Sequence, residues 1–336
     1  MELNTLSLPV FVQLADVIWL KAKESVPQVA RTSGIFKSIS ISANTGNTRS
    51  FSEIDLEKYA RRKGQSAQAE RASVQQGYTK TMTSYRVARD IGISYEDRTQ
   101  NKYPEVTARL TSLGSMGPER LDLDLQHRIT FCTATSYTDM DGETIDTEVG
   151  DECQLAYTAH TLAGAAGTTF RNRLAGNAQL SKGSLENMEK LIVEETYNQF
   201  GQKMTMGFDI LWTTDDTNTI NMAKQLLKSS SDPTQNNSGV INVQQGSYRH
   251  VILPLVATDK DGAPDSDKRR YWGLVSSSMS SAYVGVWEEA HLKTPAALNA
   301  GEEFSTDDWN FGVRMGYGIV VVSASWFKMS TGDGAA

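Results

Sequence analysis

The feature that most constrains the fold of this chain is a pair of strand-like segments separated by a long polar stretch. Phe51, Ile54 and Leu56 lie on the first segment, and the stretch that follows, from Tyr59 to Gln76, has almost no side chain large enough to build a core. The second segment returns through four apolar positions, Tyr78, Met82, Tyr85 and Val87. This pattern predicts a two-stranded arm over residues 51–95. Because such an arm is only marginally stable alone in water, it must lie on another surface.

The tip of the predicted arm is basic. Its positively charged residues are Arg61, Arg62, Lys63 and Arg71. Residues 1–102 contain 15 Lys and Arg against 10 Asp and Glu, whereas the whole chain has a net charge of −7, so the remainder is strongly acidic. This asymmetry favours packing in which the basic part of one copy lies on the acidic part of the next. The tip is therefore a candidate site of intersubunit salt bridges, and a solvated loop is the alternative.

An amphipathic helix is predicted near the start of the chain, from Pro9 to Lys23. Phe11, Leu14 and Ile18 recur there at helical spacing, and proline is favoured in the first turn of a helix. The apolar face has two candidate partners, the core of its own chain and a neighbouring copy. We therefore include Phe11, Leu14 and Ile18 among the candidate intersubunit contacts. Residues 31–50 are expected to form an extended arm with one short β-like alternation.

The rest of the chain alternates predicted helices and strands. A long helical region is expected from Tyr103 to Ala134, with a break at Gly114 to Pro118, because proline interrupts a regular helix. Ser184–Phe200 should form another helix, and from Met206 to Val256 an apolar strand, a helix and a second apolar strand follow in order. Further strands are predicted in three segments, Tyr271–Val275, Tyr283–Trp287 and Asp307–Val322. Glycines in the last segment imply bends or close backbone approach.

The sequence offers little catalytic or metal-binding chemistry. It contains no serine nucleophile elbow, no phosphate-binding loop and no paired His or Cys metal motif. The acidic stretch Asp139–Glu152 and the segment Asp259–Gly262 lack the frame of a calcium-binding loop, so solvated loops are favoured and weak divalent binding is the alternative. The four isolated histidines and two cysteines are interpreted as structural. We expect no enzymatic activity, no cofactor and no metal site.

Composition also restricts the partners of the chain. The longest apolar stretch, Leu6–Leu20, is interrupted by Gln13 and Asp16 and is shorter than the roughly 20 residues that cross a bilayer. We therefore expect no membrane contact. A dedicated DNA reader is typically basic, so any contact of this acidic chain with DNA is expected to be weak and non-specific.

Three segments carry a resemblance to a known family. They are the end of the arm, Thr79–Asp97; the helix Thr213–Leu227 with Asn242–Gly246 after it; and the closing strand, Thr306–Val322. In this order, the chain resembles the major capsid proteins of tailed bacteriophages, which have the Hong Kong 97 (Johnson) fold. The segments are most similar to the head subunits of Mu-like phages. The resemblance covers nearly the whole chain.

This resemblance implies an α+β fold with four parts. They are an N-terminal arm (1–50), an extended loop (51–95), a peripheral domain with a spine helix (96–139 and 283–336) and an axial domain (140–282). The resemblance also implies that many copies form pentamers and hexamers of an icosahedral shell around double-stranded DNA. Such a protein is found in the virion and, during assembly, in the host cytoplasm.

The resemblance further implies protein partners, namely a portal protein and, in some members, a decoration protein. Some members carry a long N-terminal scaffolding segment that a protease removes, whereas here the arm begins within a few residues of Met1. We therefore expect a separate scaffolding protein, and recovery of a longer, cleaved precursor would contradict this. Two alternatives stay open: an encapsulin-type shell that encloses cargo, and a soluble α+β hydrolase.

Overall fold

The structure is a computed structural model that describes residues 7–41, 48–232, 239–295 and 307–334. The helices in these ranges are α1 (Leu8–Ser25), α2 (Val29–Thr32), α3 (Tyr95–Thr99), α4 (Tyr103–Thr130), α5 (Lys182–Glu194) and α6 (Thr217–Lys228). The strands are β1 (Lys37–Ser40), β2 (Thr48–Leu56), β3 (Val74–Ile93), β4 (Ser136–Thr138), β5 (Thr144–Asp146), β6 (His160–Thr161), β7 (Thr169–Phe170), β8 (Ile210–Thr213), β9 (Arg249–Ile252), β10 (Trp272–Val275), β11 (Ala282–Lys293), β12 (Trp309–Val321) and β13 (Phe327–Ser330). The predicted α+β character is confirmed.

Two sheets form the body of the chain. The first has five strands in the order β1-β11-β12-β3-β2, with β1 parallel to β11 and the other neighbours antiparallel. The second has four strands in the order β13-β10-β8-β9, with β8 and β9 parallel. One large hydrophobic core includes residues of both sheets and of helices α1 and α4.

Helix α4 is continuous, although the sequence predicted a break between Gly114 and Pro118. Pro118 removes one backbone hydrogen bond from the helix, but the helix is packed closely on two sides at this point. A Cβ atom on Gly114 would lie 2.6 Å from the carbonyl oxygen of Trp19 in α1. One on Gly117 would lie 3.2 Å from the Cβ of Ala290 in β11. The predicted break is wrong: the helix continues through Pro118, at a point where it packs closely against α1 and β11.

Helix α1 closes the core of its own chain. Phe11 is fully buried, and its ring centroid lies 5.0 Å from that of Trp309 and 5.8 Å from that of Phe311, both on β12. Ala15 and Trp19 are buried on the same side of the helix, which packs against α4. Of the two partners that the sequence left open, this face therefore binds the chain's own core.

Most other predicted elements are confirmed. The segment from Met206 to Val256 contains β8, α6 and β9, and β9 pairs in parallel with β8. The side chain of Asp216 accepts a hydrogen bond from the backbone nitrogen of Thr219 at 2.9 Å and so caps the start of α6. The helix predicted over Ser184–Phe200 is α5, which ends six residues earlier than expected. The glycines of β12 allow close approach, since a Cβ on Gly316 would collide with the ring of Trp287.

Strand β13 was not predicted, and its pairing crosses one of the expected domain boundaries. The sequence assigned residues 283–336 to one part and 140–282 to another, but β13 pairs with β10 in the second sheet. Hairpin β4–β5 likewise crosses the expected boundary at residue 139. All four residues of β13 are buried, including Lys328, so the strand lacks the alternation by which a half-buried strand is recognised. The chain thus returns to the second sheet after completing the first.

The segment expected to be an extended arm, residues 31–50, is only partly extended. It starts in α2, continues in β1 and reaches β2, while residues 42–47 lie outside the described residues. Residues 1–6, where the arm was expected to begin, and Thr306, which entered the family resemblance, also lie outside them. Across the described part of the chain, no helix is both long and apolar enough to cross a membrane.

Candidate assembly interface

The candidate functional site is a ribbon made of β2, the tip at residues 57–73 and the first half of β3. Strand β3 is 20 residues long, and its two halves have different partners. Residues 84–93 pair with β12 in the first sheet, whereas residues 74–83 pair with β2. At a rise of about 3.3 Å per residue, the half that pairs with β2 is about 33 Å long. A two-stranded arm is present as predicted, but it spans residues 48–83 and not 51–95, because residues 84–93 pair with β12 in the body of the chain.

In this ribbon the polar side chains face the body of the chain and the apolar side chains face outwards, which is the reverse of an ordinary surface strand. Glu53 and Asp55 are half-buried against the body of the chain, whereas Ile54 and Leu56, which alternate with them, are 68% and 62% exposed. Val74 lies directly opposite Leu56 and is 62% exposed. A strand normally turns its apolar side chains towards the core. Here Ile54, Leu56 and Val74 instead form an uncovered surface, which we call the aliphatic face.

The opposite face of the ribbon lies on its own chain through polar contacts centred on Gln199. The backbone nitrogen of Gln199 donates a hydrogen bond to Oδ2 of Asp55 at 2.8 Å. Its side-chain amide donates to Oε2 of Glu53 at 2.9 Å. Nearer the tip, Nζ of Lys58 donates to the carbonyl oxygen of Lys203 at 2.8 Å. The chain therefore supplies a polar support for the inner face of the ribbon.

Small residues complete this support, which we call the seat and define as Gly150, Thr161, Gly164 and Gln199. The hydroxyl of Tyr78 lies 2.8 Å from Oγ1 of Thr161. A Cβ atom on Gly150 would collide with the side chain of Tyr78, and one on Gly164 would lie 2.5 Å from Cγ of Gln75 on β3. The ribbon can lie this close because two positions of the seat have no side chain.

Glu53 faces the seat because side chains alternate between the two faces of β2, and Glu53 lies on the same face as Asp55. Two residues of β3, Gly77 and Tyr78, lie opposite this single residue of β2, so a β-bulge is present in the partner strand. Burial raises the pKa of Glu53. Hydrogen bonds from Ser323 and Gln199 oppose that increase, while the neighbouring charge of Asp55 adds to it.

The five basic residues of the tip are all exposed, and four of them are the predicted contacts Arg61, Arg62, Lys63 and Arg71. Arg61 already pairs with two carboxylates of the tip, Glu57 at 3.0 Å and Glu70 at 3.4 Å. Exposed pairs of this kind add little stability. Within the described ranges, none of the other three predicted contacts forms an ion pair. Arg62, Lys63 and Arg71 remain candidate intersubunit contacts. Arg61 also remains a candidate, but it would have to leave Glu57 and Glu70 to pair with a neighbouring copy.

The predicted contacts on α1 are only partly accessible. Phe11 is fully buried in its own chain, so its assignment as an intersubunit contact is wrong, because no part of its side chain reaches the surface. Leu14 and Ile18 are half-buried. The exposed aliphatic side chains of this helix are three others, Val10, Val17 and Leu20. The sequence pattern did not indicate these three side chains, because Phe11, Leu14 and Ile18 form the more continuous apolar stripe.

The acidic stretch Asp139–Glu152 is more ordered than the sequence indicated. Asp139 is buried, and its Oδ1 accepts hydrogen bonds from the backbone nitrogens of Asp141 and Glu143, both at 2.9 Å. Arg120 in α4 pairs with Asp139 at 3.0 Å and Asp141 at 2.9 Å. The interpretation as a solvated loop is wrong for Asp139, which fixes hairpin β4–β5 to α4. No group of three or more metal-binding side chains occurs among the residues described.

A groove of about 1460 Å³ lies beside this hairpin, between β3 and α4. Its wall includes the apolar side chains of Val87, Met116 and Ile145. Charges of both signs also line the groove, including Glu143 and Asp146 of the hairpin and Lys80 and Arg86 of β3. Asp146 pairs with Lys80 at 2.7 Å, whereas Glu143 is exposed and forms no ion pair with the described residues. The groove therefore combines an apolar wall with an exposed carboxylate, Glu143, that is open to a partner.

Two strongly shifted titratable groups are structural. Burial lowers the pKa of His127 to about 4, and its Nε2 lies 3.1 Å from Oγ1 of Thr258. Burial also lowers the pKa of Lys328 to about 7, and its amine donates to the carbonyl oxygens of Arg171 and Glu195. Both groups are buried and bonded inside the core, which confirms the structural interpretation of His127.

The two sheets, the long helix α4 and the protruding ribbon together define the class of fold. The chain has the α+β fold of Hong Kong 97-type capsid proteins, as predicted. It is similar to a chain of the capsid of Myoviridae phage XM1, with a TM-score of 0.51, 9% identity, and 90% of this chain and 91% of that chain covered. A chain of Gordonia phage Cozz has a TM-score of 0.49 and 12% identity, and the coverage is 93% of this chain and 90% of that chain.

A virus-like particle from Pyrococcus furiosus is also similar, with a TM-score of 0.48, 9% identity, and 95% of this chain and 98% of that chain covered. No protein-family model and no curated protein matches the sequence. At these identities the likeness concerns the fold alone. The function therefore has to be argued from the surfaces described above.

Proposed function

We propose that this chain is a shell-forming capsid protein, structural and not enzymatic, that assembles with copies of itself. The observation that supports this most strongly is the aliphatic face of the ribbon. A two-stranded ribbon gains substantial stability only when an apolar face is covered, and here the chain's own seat covers the polar face instead. A second copy of the chain supplies the missing cover.

The groove of a neighbouring copy matches the ribbon in chemistry. The aliphatic face would lie against the apolar wall of the groove, and the basic tip would lie near the exposed carboxylate of Glu143. Permanent interfaces of this kind commonly bury about 2,000 to 5,000 Å². The outer face of α1, with Val10, Val17 and Leu20, offers a further contact surface.

In this proposal the ribbon is the extended loop and α4 is the spine helix. The first sheet belongs to the peripheral domain, and the second belongs to the axial domain, which meets other copies around a symmetry axis. The pairing of β13 with β10 supports moving residues 327–330 from the peripheral to the axial domain. Hairpin β4–β5 then joins the two domains.

The finer assignment follows the resemblance in sequence. We propose pentamers and hexamers of an icosahedral shell around double-stranded DNA, in the virion of a Mu-like phage or prophage. Portal and decoration proteins are the expected further partners. The net charge of −7 supports weak, non-specific contact with the packaged DNA.

Size-exclusion chromatography of the expressed chain, with analysis of the contents of any particle, tests this function. Large assemblies are expected, and a monomer or dimer at all protein concentrations would instead favour a soluble hydrolase. Particles assembled in the native host should contain DNA. Particles that hold a specific protein and no DNA would favour a cargo-enclosing shell.

Reversing the charge of Arg62 and Lys63 to Glu is expected to weaken assembly in a salt-dependent way. At low ionic strength, particle yield should fall roughly tenfold, and the difference from the unmodified chain should narrow at about 1 M salt, where the Debye length is about 3 Å. Light scattering against salt concentration measures this. Adding Glu143→Lys at the edge of the groove should restore part of the yield. Equal yields at all salt concentrations would contradict charge pairing.

A further inference from the structure

We propose that Glu53 acts as a carboxyl latch, which holds the ribbon on the seat of its own chain under acidic conditions and releases it as the pH rises. The latch lies within one chain and does not depend on the proposed function. It would control whether the ribbon lies on its own body or is free to move.

The geometry places a carboxyl side chain where the ribbon meets the body. A cavity of about 70 Å³ separates the two at this point. Its polar lining includes Glu53, Asp55, Tyr78, Asp151, His160, Gln199 and Ser323. The alternation of β2 places Glu53 on the face that lines this cavity, where Gln199 donates a hydrogen bond to it at 2.9 Å. Glu53 is therefore enclosed only while the ribbon lies on the seat.

The charged neighbours of Glu53 do not neutralise it. Asp55 lies on the same strand as Glu53 and carries a charge of the same sign. Its carboxylate accepts a hydrogen bond from the backbone nitrogen of Gln199. From the loop before β6, Asp151 is bonded to Nδ1 of His160 at 2.8 Å. Burial opposes ionisation of Asp151, but the hydrogen bond and charge of His160 outweigh it and lower the pKa of Asp151.

Tyr197 also lines the cavity, and two further titratable groups near the seat are engaged elsewhere. Tyr78 on β3 is bonded to Thr161, and Lys58 near the tip is bonded to the carbonyl oxygen of Lys203. Among the residues that the structure describes, no cation pairs with Glu53. An ionised Glu53 would therefore be a buried charge close to the carboxylate of Asp55, which is costly.

The direction of the pH effect follows from linkage. On the seat, burial raises the pKa of Glu53, whereas on a released ribbon the same carboxyl is in water and has its ordinary pKa. The seated state therefore binds the proton more tightly. Seating is favoured fully below the ordinary pKa and weakens as the pH rises through the raised pKa. Between the two values, the ratio of released to seated ribbon rises by up to about tenfold per pH unit.

Hydrogen–deuterium exchange of the full chain tests the latch, at a dilution where chromatography shows the monomer. Protection of residues 48–56 and 74–83 would be measured between about pH 4 and pH 8 and corrected with an unstructured reference peptide, because intrinsic exchange also depends on pH. Protection of the ribbon should fall by up to about tenfold per pH unit across part of this range. Protection of α4 should change little.

Variant E53Q should remove this dependence, because its side chain stays neutral at every pH and should keep the ribbon protected. E57Q, the same substitution four residues along the ribbon, should follow the unmodified chain. A flat profile in the unmodified chain, or an E53Q profile identical to it, would overturn the latch. If E53Q does not fold, variant Q199A provides the test, because it removes the side chain that donates a hydrogen bond to Glu53. Q199A should lower the protection of the ribbon at acidic pH. A Q199A profile identical to that of the unmodified chain would also overturn the proposal. Particle formation is measured in a separate experiment, so the latch and the proposed shell function can each be contradicted without the other.

Discussion

Replacing Ile54, Leu56 and Val74 together with serine is expected to abolish particle formation and leave the monomer folded. Each of these side chains is more than 60% exposed within its own chain, so the substitutions remove few intramolecular contacts. Covering one such side chain at an interface contributes roughly 1.5–3 kcal/mol. Losing all three would weaken each ribbon contact by about 5 kcal/mol, which corresponds to a more than thousandfold loss of affinity.

The comparison requires a control that changes an exposed aliphatic residue elsewhere. Val193 on α5 is 58% exposed, and Val193→Ser should leave assembly unchanged. Size-exclusion chromatography at matched concentrations reports assembly, and thermal unfolding reports the monomer. Normal particles from the triple variant would show that the aliphatic face is not an assembly contact.

Phe11→Ala is expected to destabilise the monomer by about 3–5 kcal/mol, because it removes a fully buried ring from the core. The ring lies between α1 and β12, against Trp309 and Phe311, so the cavity would loosen the attachment of α1 to the first sheet. Urea unfolding followed by tryptophan fluorescence measures the change.

Val17→Ala on the outer face of α1 is the matched control for Phe11→Ala. Val17 is exposed, so its replacement should change the free energy of unfolding by less than about 0.5 kcal/mol. A small effect of Phe11→Ala on the monomer, combined with loss of assembly, would contradict the placement of this ring in its own core.

The elements that the sequence predicted well are those with a strong local pattern. The ribbon follows from two apolar segments around a polar tip, and α6 follows from a capping aspartate, Asp216, and an apolar stripe. These features depend on residues that are close in sequence. They could therefore be predicted without knowing what each element packs against.

The features that the sequence did not predict depend on contacts between residues that are distant in sequence. The continuity of α4 through Pro118 depends on its packing against α1 and β11, and the burial of Lys328 in β13 depends on carbonyl groups more than 100 residues away. The orientation of the ribbon is another such property. Alternation shows that Glu53 and Ile54 lie on opposite faces, but only the seat decides which face is covered.

The candidate interface differs from the predicted one in several residues. Phe11 leaves it because it is buried, and Arg61 enters it only by exchanging Glu57 and Glu70 for new partners. The aliphatic face becomes its centre, since it combines exposure with direct cross-strand pairing of Leu56 and Val74. Residues that a periodicity analysis assigns to a contact should therefore be tested for burial first.

Negative-stain imaging of the purified, unmodified chain tests the central claim most directly. The proposed function predicts rings of five or six copies and closed shells of uniform size. Images that show only monomers or dimers, across a range of salt and protein concentrations, would contradict it.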